Sequence, residues 1–319
     1  MADSTTYQLE HAVEIDAPAN SVYALIAGVE AWPRIFPPTV YIEREPLTGN
    51  DERVRLWATA NGSVKSWTSR RSLDDQARRI DFRQELSAPP VASMGGSWLV
   101  GEAAGDRCWV RLLHDFAAVS DDAEDVDWIS RAVDTNSRSE LASLKVYAEQ
   151  VAGHPELTLD FTDSIQVHGA AQDVYDFLNE AQRWDTRLPH VARVALTEEV
   201  PGLQVLEMDT RTKDGSTHTT KSIRVCFAGQ SIVYKQTRVP ALMSAHTGRW
   251  LIRELTDGLL EVSSQHAVVL NPAAITQVLG PSATVITARQ FVHSALSGNS
   301  SATLGYAREF AESRTLARS

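Results

Sequence analysis

An internal repeat constrains the fold of this chain more than any other feature. Trp32 and Trp184 lie 152 residues apart, and the same offset aligns a further set of residues along nearly the whole half-chain: Val22-Tyr23 with Val174-Tyr175, Pro37 with Pro189, Ile80–Gln84 with Ile232–Gln236, Gly96 and Trp98 with Gly248 and Trp250, and His114 with His266. Matches that keep one register over about ninety residues indicate two copies of one domain. We therefore predict two domains, residues 1–152 and 153–319.

The same order of elements is predicted in each copy. A strand, Gln8–Ile15 or Leu159–Val167, leads into an amphipathic helix, then into strands of alternating hydropathy divided by turns such as Asn61-Gly62. A long helix closes each copy, Val126–Val151 in the first and about 281–314 in the second. This order predicts an α+β fold, duplicated in tandem, in which a curved antiparallel sheet wraps around a long C-terminal helix and leaves an apolar cavity.

Composition excludes several classes of protein. The net charge of −11 argues against a nucleic-acid partner, and the absence of an apolar run of about 18 residues argues against a membrane span. Two cysteines, Cys108 and Cys226, are too few for a disulfide framework, so a cytoplasmic location is expected. The sequence has no phosphate-binding or dinucleotide-binding motif, no nucleophile elbow and no metal-spaced His/Cys cluster, so we expect chemistry without a cofactor or a metal.

Three local motifs of the first copy resemble a known family. They are Glu30-Ala31-Trp32-Pro33, then Trp67-Thr68-Ser69-Arg70-Arg71, then Met94 four residues before Trp98. Together with the order of elements, they resemble the START-like helix-grip superfamily. More narrowly, they resemble the two-domain polyketide aromatase/cyclases of bacterial type II (aromatic) polyketide pathways. The resemblance covers essentially the whole chain as two units.

This resemblance implies a function. In that family, a poly-β-ketone tethered through phosphopantetheine to an acyl carrier protein enters the cavity, where an intramolecular aldol condensation and a dehydration make the first aromatic ring. Two-domain members are associated with ketoreduced chains and with closure between C7 and C12. The implied partners are the acyl carrier protein and other polyketide synthase components. A local basic patch for the carrier is expected at Arg70, Arg78 and Arg79.

Strand alternation suggests which residues carry the chemistry. Trp67, Ser69 and Arg71 share one strand face, so an aromatic wall, a hydroxyl and a cation are expected to face the cavity together. Arg71 is the candidate to stabilise an enolate, and His114, on the apolar face of a later strand, is a candidate for proton transfer. The structural alternatives are a surface Arg71, a core-filling Trp67 and a hydrogen-bonded core His114.

A second group is expected to bind substrate, or simply to fill the core: Trp32, Phe36, Trp67, Met94 and Trp98. In the second copy, the corresponding pocket comprises Trp184, Ser222, Arg224, Trp250 and His266. Ser222 and Arg224 correspond to Ser69 and Arg71 at a shift of 153, which implies one inserted residue in a turn. Thr220 stands there where the first copy has Trp67, so the sequence favours the first copy as the main reaction chamber. Thr39 occupies a position where some one-domain relatives carry a tyrosine, so the proton donor remains open.

Two alternatives from other classes remain at this point. One is a non-catalytic lipid- or polyketide-binding module, because the same fold serves transport as well as catalysis. The other is a hydrolase or dehydratase that acts on a related thioester. A cation beside the apolar wall favours the cyclase, because a carrier needs the wall alone.

Overall fold

The computed structural model describes residues 5–60, 63–120, 122–211, 215–256 and 258–318, so the predicted turn at Asn61-Gly62 lies outside the described residues. The chain divides into two units between His154 and Pro155. This division lies two residues beyond the boundary that the repeat predicts.

The first unit contains one seven-stranded antiparallel sheet, ordered β1-β7-β6-β5-β4-β3-β2. Its strands are β1 (Tyr7–Ile15), β2 (Thr39–Pro46), β3 (Asp51–Ala60), β4 (Ser63–Asp74), β5 (Arg79–Gln84), β6 (Val91–Glu102) and β7 (Cys108–Ala118). Its helices are α1 (Ala19–Ala27), α2 (Trp32–Ile35) and α3 (Ala123–Ala152), with a 3-10 turn at Val29–Ala31.

Helix α3 lies against the concave face of this sheet. It begins three residues before the predicted start, because the carboxylate of Asp122 accepts a hydrogen bond from the backbone N–H of Glu124 at 3.0 Å and caps the helix. The buried stripe of α3 begins with Val126, Ile129 and Val133, which belong to one apolar cluster with Phe116. The predicted sheet wrapped around a long helix is therefore confirmed in this unit.

The second unit repeats the sheet in the same order, β8-β14-β13-β12-β11-β10-β9. Its strands are β8 (Thr158–His168), β9 (Val191–Val200), β10 (Leu203–Arg211), β11 (Thr217–Phe227), β12 (Ser231–Arg238), β13 (Met243–Thr256) and β14 (Leu259–Leu270). Its helices are α4 (Ala171–Asn179), α5 (Trp184–Arg187), α6 (Ile275–Leu279) and α7 (Val285–Arg318), with 3-10 turns at Pro155–Leu157, Ala181–Arg183 and Pro272–Ala274.

The start of α7 differs from the prediction. The helix begins at Val285 rather than near residue 281, because Thr284 and Thr287 cap its first turn by reciprocal side-chain hydrogen bonds to backbone N–H groups. The short helix α6 precedes it and packs through Ile275 into the apolar core. Among the described residues, no helix is both long and apolar enough to cross a membrane.

Gly248 of β13 allows the ring of Tyr234, on the neighbouring strand, to lie across the backbone. A Cβ atom at position 248 would overlap the Tyr234 hydroxyl and lie 2.6 Å from the carbonyl oxygen of Gln265. We therefore expect Gly248→Ala to lower the free energy of unfolding by about 1–3 kcal/mol, as overpacked sites do. Gly305→Ala is the control, since nothing lies within 4 Å of that position on α7 and alanine favours helix. Urea unfolding that finds both variants equally stable would contradict this account.

Candidate functional site

Arg71 of the first unit is buried and held by protein groups. Strand β4 places its side chain, 2% exposed, against the C-terminal end of α1, where Nη2 donates to the carbonyl of Ile26 at 3.0 Å. The guanidinium lies 5.2 Å from the ring centroid of Trp32, and Nη1 forms an ion pair with Oε1 of the buried Glu52 at 3.1 Å. Burial lowers the pKa of Arg71 to about 10, so the group stays charged at neutral pH. The alternative of a surface arginine is therefore wrong.

Arg224 occupies the equivalent place in the second unit. Its Nη2 donates to the carbonyl of Leu178 at 2.6 Å, and its guanidinium lies 5.4 Å from the ring centroid of Trp184. Burial lowers the pKa of Arg224. Its Nη1 differs from that of Arg71, because within the described part of the chain it has no hydrogen-bond partner. This guanidinium therefore retains an unused donor group.

One residue accounts for the difference between the two cations. In the strand register, Glu52 lies opposite Arg71, and Gln204 takes the same position opposite Arg224. The Gln204 amide is neutral, and its Nε2 donates to a carboxylate oxygen of Glu198 at 2.8 Å. Of the residues that the structure describes, none forms a carboxylate ion pair with Arg224. The carboxylate of Glu198 favours the charged form of Arg224 from a distance but makes no ion pair with it. A buried cation without a direct ion pair is costly to the fold, so this arrangement favours an anionic ligand.

A cavity of about 320 Å³ separates the concave face of the second sheet from α7. The structure brings together there all five residues that the sequence predicted for the second pocket: Trp184, Ser222, Arg224, Trp250 and His266. Most of the remaining wall is apolar and includes Leu206, Met208, Met243, Phe291 and Leu296. Its volume lies within the range of about 300–1,000 Å³ that is typical of small-molecule sites.

Two histidines meet in this cavity. His246 of β13 places Nε2 3.0 Å from Nδ1 of His266 on β14, and Nε2 of His266 lies 2.6 Å from the Ser300 hydroxyl on α7. Burial lowers the pKa of His266 to about 4 and that of His246 to about 3, so both rings are neutral at pH 7. The sequence predicted His266 but missed His246, because the repeat aligns it with Met94 of the first copy.

The predicted polar residues of the first unit also lie on its concave side. His114 contacts the Ser137 hydroxyl of α3 at 3.3 Å, and its ring centroid is 5.4 Å from that of Phe82. Ser69, 6% exposed, precedes Arg71 on the same face of β4. His114 therefore has the hydrogen-bond partner that its structural interpretation requires, and its role in proton transfer stays a prediction.

The aromatic residues of the first unit form a packed group. The ring of Phe36 lies 5.2 Å from that of Trp32 and 6.4 Å from that of Trp98, by centroids. Trp67 packs with Trp32 on an apolar cluster, and Met94 packs on the cluster around Phe116. These contacts satisfy the core-packing interpretation, while substrate binding by these residues stays a prediction.

The three arginines expected to form a basic patch each have an acidic partner. Arg70 pairs with Asp51 at 2.8 Å, Arg78 with Glu102 at 2.9 Å and Arg79 with Asp81 at 2.8 Å. The first and third of these pairs border an open groove of about 390 Å³ on the sheet face opposite α3. This groove is therefore lined by compensated charges, and the expected excess of positive charge is not found at these three positions.

The buried histidines predict how stability depends on pH. Burial also lowers the pKa of His114 to about 4, whereas histidine in an unfolded chain titrates near 6.5. Below about pH 6.5 the unfolded state therefore binds more protons, and stability falls by up to about 1.4 kcal/mol per pH unit for each of His114, His246 and His266. Urea unfolding between pH 7.5 and 5 measures this slope. His114→Gln is expected to reduce it, and a flat profile in the wild type would contradict the account.

The comparisons with known proteins agree on one family. The family model described as "Polyketide cyclase / dehydrase and lipid transport" matches residues 15–127. The granaticin polyketide synthase bifunctional cyclase/dehydratase of Streptomyces virginiae is 48% identical over 299 residues, which are 93% of this chain and 98% of that protein. The actinorhodin polyketide synthase bifunctional cyclase/dehydratase of Streptomyces coelicolor is 44% identical over 314 residues, with 94% and 96% covered.

Two solved structures resemble both units together. The di-domain ARO/CYC BexL, from the BE-7585A biosynthetic pathway, has a TM-score of 0.89 and 56% identity and covers 96% of this chain and 99% of its own. The di-domain ARO/CYC StfQ, from the steffimycin biosynthetic pathway, has a TM-score of 0.86 and 33% identity, with the same coverage. The predicted tandem of START-like helix-grip domains is therefore confirmed.

Proposed function

The chain belongs to the family of polyketide synthase bifunctional cyclase/dehydratases, and from this premise we propose its substrate and reaction. It folds a ketoreduced poly-β-ketone held on an acyl carrier protein, closes the first ring between C7 and C12 by aldol condensation, and dehydrates that ring to an aromatic one. Because the relatives at 44–48% identity are named as cyclase/dehydratases, we favour an enzyme over the non-catalytic binding module.

The observation on which the site of this reaction rests is that Arg224 is buried and its Nη1 has no partner among the described residues. An aldol closure passes through an enolate and then an alkoxide, and fixed donors in a dry cavity stabilise such charge strongly. Arg224 offers a buried cation with an unpartnered Nη1, whereas Glu52 neutralises Arg71. We therefore propose the second unit as the reaction chamber, the reverse of the preference for the first copy that the sequence suggested.

The walls of the chamber support the same proposal. Trp184, Trp250 and apolar side chains of α7 such as Val292 line the same cavity, so a ketide chain folded among them would displace water from this space. Exclusion of water strengthens the attraction between Arg224 and a developing enolate. It also favours a folded apolar chain over an extended, solvated one, which is what ring closure requires.

Product analysis of a reconstituted synthase tests this function. A minimal aromatic polyketide synthase with a ketoreductase is run with and without this protein, and the products are identified by mass, ultraviolet spectrum and carbon connectivity. We expect one dehydrated product with a C7–C12 aromatic first ring in place of spontaneously cyclised compounds. An unchanged mixture would contradict the proposed function, and a different ring position would contradict its regiochemistry.

A further inference from the structure

We propose that His246 is the catalytic base of the second-unit cavity, that His266 accepts a proton from His246 and so takes up the positive charge, and that Ser300 accepts a hydrogen bond from His266. This inference rests on the proposed function, because the proton is taken from a carbon next to the carbonyls of the ketide chain. His246 has no histidine equivalent in the first copy, because Met94 occupies the corresponding position there.

The hydrogen-bond network defines the protonation of His266. The Ser300 hydroxyl lies 2.8 Å from the carbonyl of Leu296, to which it can donate, so we assign it as an acceptor towards His266. The short contact of 2.6 Å between Ser300 Oγ and His266 Nε2 therefore places the ring proton of His266 on Nε2. Nδ1 of the neutral ring is then an acceptor.

The same reasoning extends to His246. Its Nε2 lies 3.0 Å from the accepting Nδ1 of His266, and two lone pairs at that distance would repel each other, so we assign the proton of His246 to Nε2 as the donor. The Tyr234 hydroxyl, 3.3 Å away, is a second donor to the same atom of His266. The other nitrogen of His246, Nδ1, is then a bare lone pair. It is buried, it has no partner among the described residues, and its ring, 2% exposed, lines the cavity. An unsatisfied buried acceptor is costly, and a base awaiting its substrate accounts for it.

The proton transfer balances over these groups. Nδ1 of His246 takes a proton from a methylene between two carbonyls, and the electron pair of the C–H bond moves onto the enolate oxygen. The Nε2 proton of His246 passes to Nδ1 of His266, so the positive charge comes to rest on His266, whose Nε2–H still donates to Ser300.

The return of that proton completes the reaction. When the enolate carbon attacks the second carbonyl, the new alkoxide takes the proton back through His266 and His246, which leaves both rings neutral. In the dehydration, His246 removes the remaining hydrogen next to the new alcohol, and the relayed proton leaves with the hydroxyl group as water. The aldol closure therefore forms one carbon–carbon bond and releases one water, and the ring becomes aromatic when a second water leaves from the alcohol at the ketoreduced carbon.

Burial disfavours the charged form of His266, and the polar groups around the ring offset part of that cost. The Ser264 hydroxyl lies 3.1 Å from Nε2, and the ring of Phe161 stacks on the imidazole with a centroid distance of 4.7 Å. The carboxylate of Asp163 on β8 favours the protonated ring, whereas His293 on α7 opposes it. In the first unit, Phe82 and Leu112 stand where the second has Tyr234 and Ser264, so the predicted His114 lacks this set of partners.

Deuterium exchange tests the base directly. The probe is the N-acetylcysteamine thioester of 3,5-dioxohexanoic acid, and the measurement is the enzyme-dependent uptake of deuterium at its methylene carbons from D₂O, followed by NMR. We expect His246→Met, which copies the first unit, to lower the exchange rate by about 10²–10⁴-fold, the usual contribution of a general base. His190→Gln is the matched control, since His190 is partly buried in the same unit but does not line the cavity.

A second variant keeps the test decisive if methionine disturbs the fold. His246→Ala is expected to lose the exchange and to regain it when imidazole is added, a rescue that a purely structural histidine would not show. Exchange at the wild-type rate in a folded His246→Met protein, or a lost rate that imidazole does not restore, would overturn the proposal. If His246→Met slows deuterium exchange but the wild-type protein gives no aromatic product in the reconstituted synthase, the role of His246 as a base would stand and the proposed function would be rejected.

Discussion

Replacement of Arg224 by glutamine is expected to lower the rate of aromatic product formation by about 10²–10³-fold, the cost of removing one donor to an oxyanion. The glutamine side chain is too short to reach the same point, and it carries no charge. The loss should appear in the turnover number of the reconstituted synthase, because Arg224 binds charge that develops during the reaction. Binding of an uncharged ketide analogue should change much less.

Arg71→Gln is the companion variant, because the two arginines make the same structural contacts. Each donates to a carbonyl at the end of the first helix of its unit and lies over a tryptophan ring. Both variants should therefore lose stability in urea, but only Arg224→Gln should lose the rate per folded molecule. The opposite result, loss of rate in Arg71→Gln with Arg224→Gln active, would establish the first unit as the chamber.

Glu52→Gln is expected to destabilise the first unit by about 3 kcal/mol, the scale of removing one partner from a buried ion pair. The carboxylate is 2% exposed and contacts two guanidinium groups, that of Arg71 at 3.1 Å and that of Arg44 at 2.5 Å. Without it, Arg71 remains buried with no counter-charge. Urea unfolding followed by tryptophan fluorescence measures the change.

A surface pair supplies the control for that prediction. Glu45 pairs with Arg53 at 3.1 Å, and its side chain is 63% exposed, so Glu45→Gln should cost less than about 1 kcal/mol. Equal effects of the two substitutions would show that the Glu52 carboxylate contributes nothing beyond a surface charge. The second unit already bears the cost of a buried arginine whose Nη1 has no partner among the described residues, and an anionic group bound at Arg224 would offset that cost.

The fold was predictable from the sequence because the repeated residues are the ones that packing requires. Trp32 and Trp184 each donate their indole N–H to a carbonyl of the preceding helix at 3.1 Å. Gly248 lies under the aromatic ring of the neighbouring strand, and Gly96 does the same under Phe82. These positions keep their identity in both copies, so comparing the chain with itself finds them.

The candidate site was less predictable, because its special features are the positions where the two copies differ. Gln204 replaces Glu52, and His246 replaces Met94; neither position is a match in the repeat. The change from Glu52 to Gln204 matters because the strand register places Glu52 opposite Arg71 and Gln204 opposite Arg224 in the folded sheets. The sequence therefore predicted Arg71 and Arg224 as equivalent cations but gave no sign that only one is neutralised.

The start of α7 shows a similar limit. The sequence predicts a helix from about residue 281, but Thr284 caps the helix at Val285, and α6 ends at Leu279 as a separate element. This cap depends on a side-chain hydrogen bond, and the spacing of apolar residues in the sequence does not reveal such a bond. This departure matters for the site, because Val278 of α6 lines the cavity.

A crystal structure with a stable poly-β-ketone mimic bound tests the central claim, that the second-unit cavity is the reaction chamber. We expect the mimic between the second sheet and α7, with a carbonyl oxygen about 2.7–3.1 Å from Nη1 of Arg224, the range for a donor to a developing oxyanion. A mimic bound instead on the concave side of the first unit, beside Ser69 and His114, would contradict that claim.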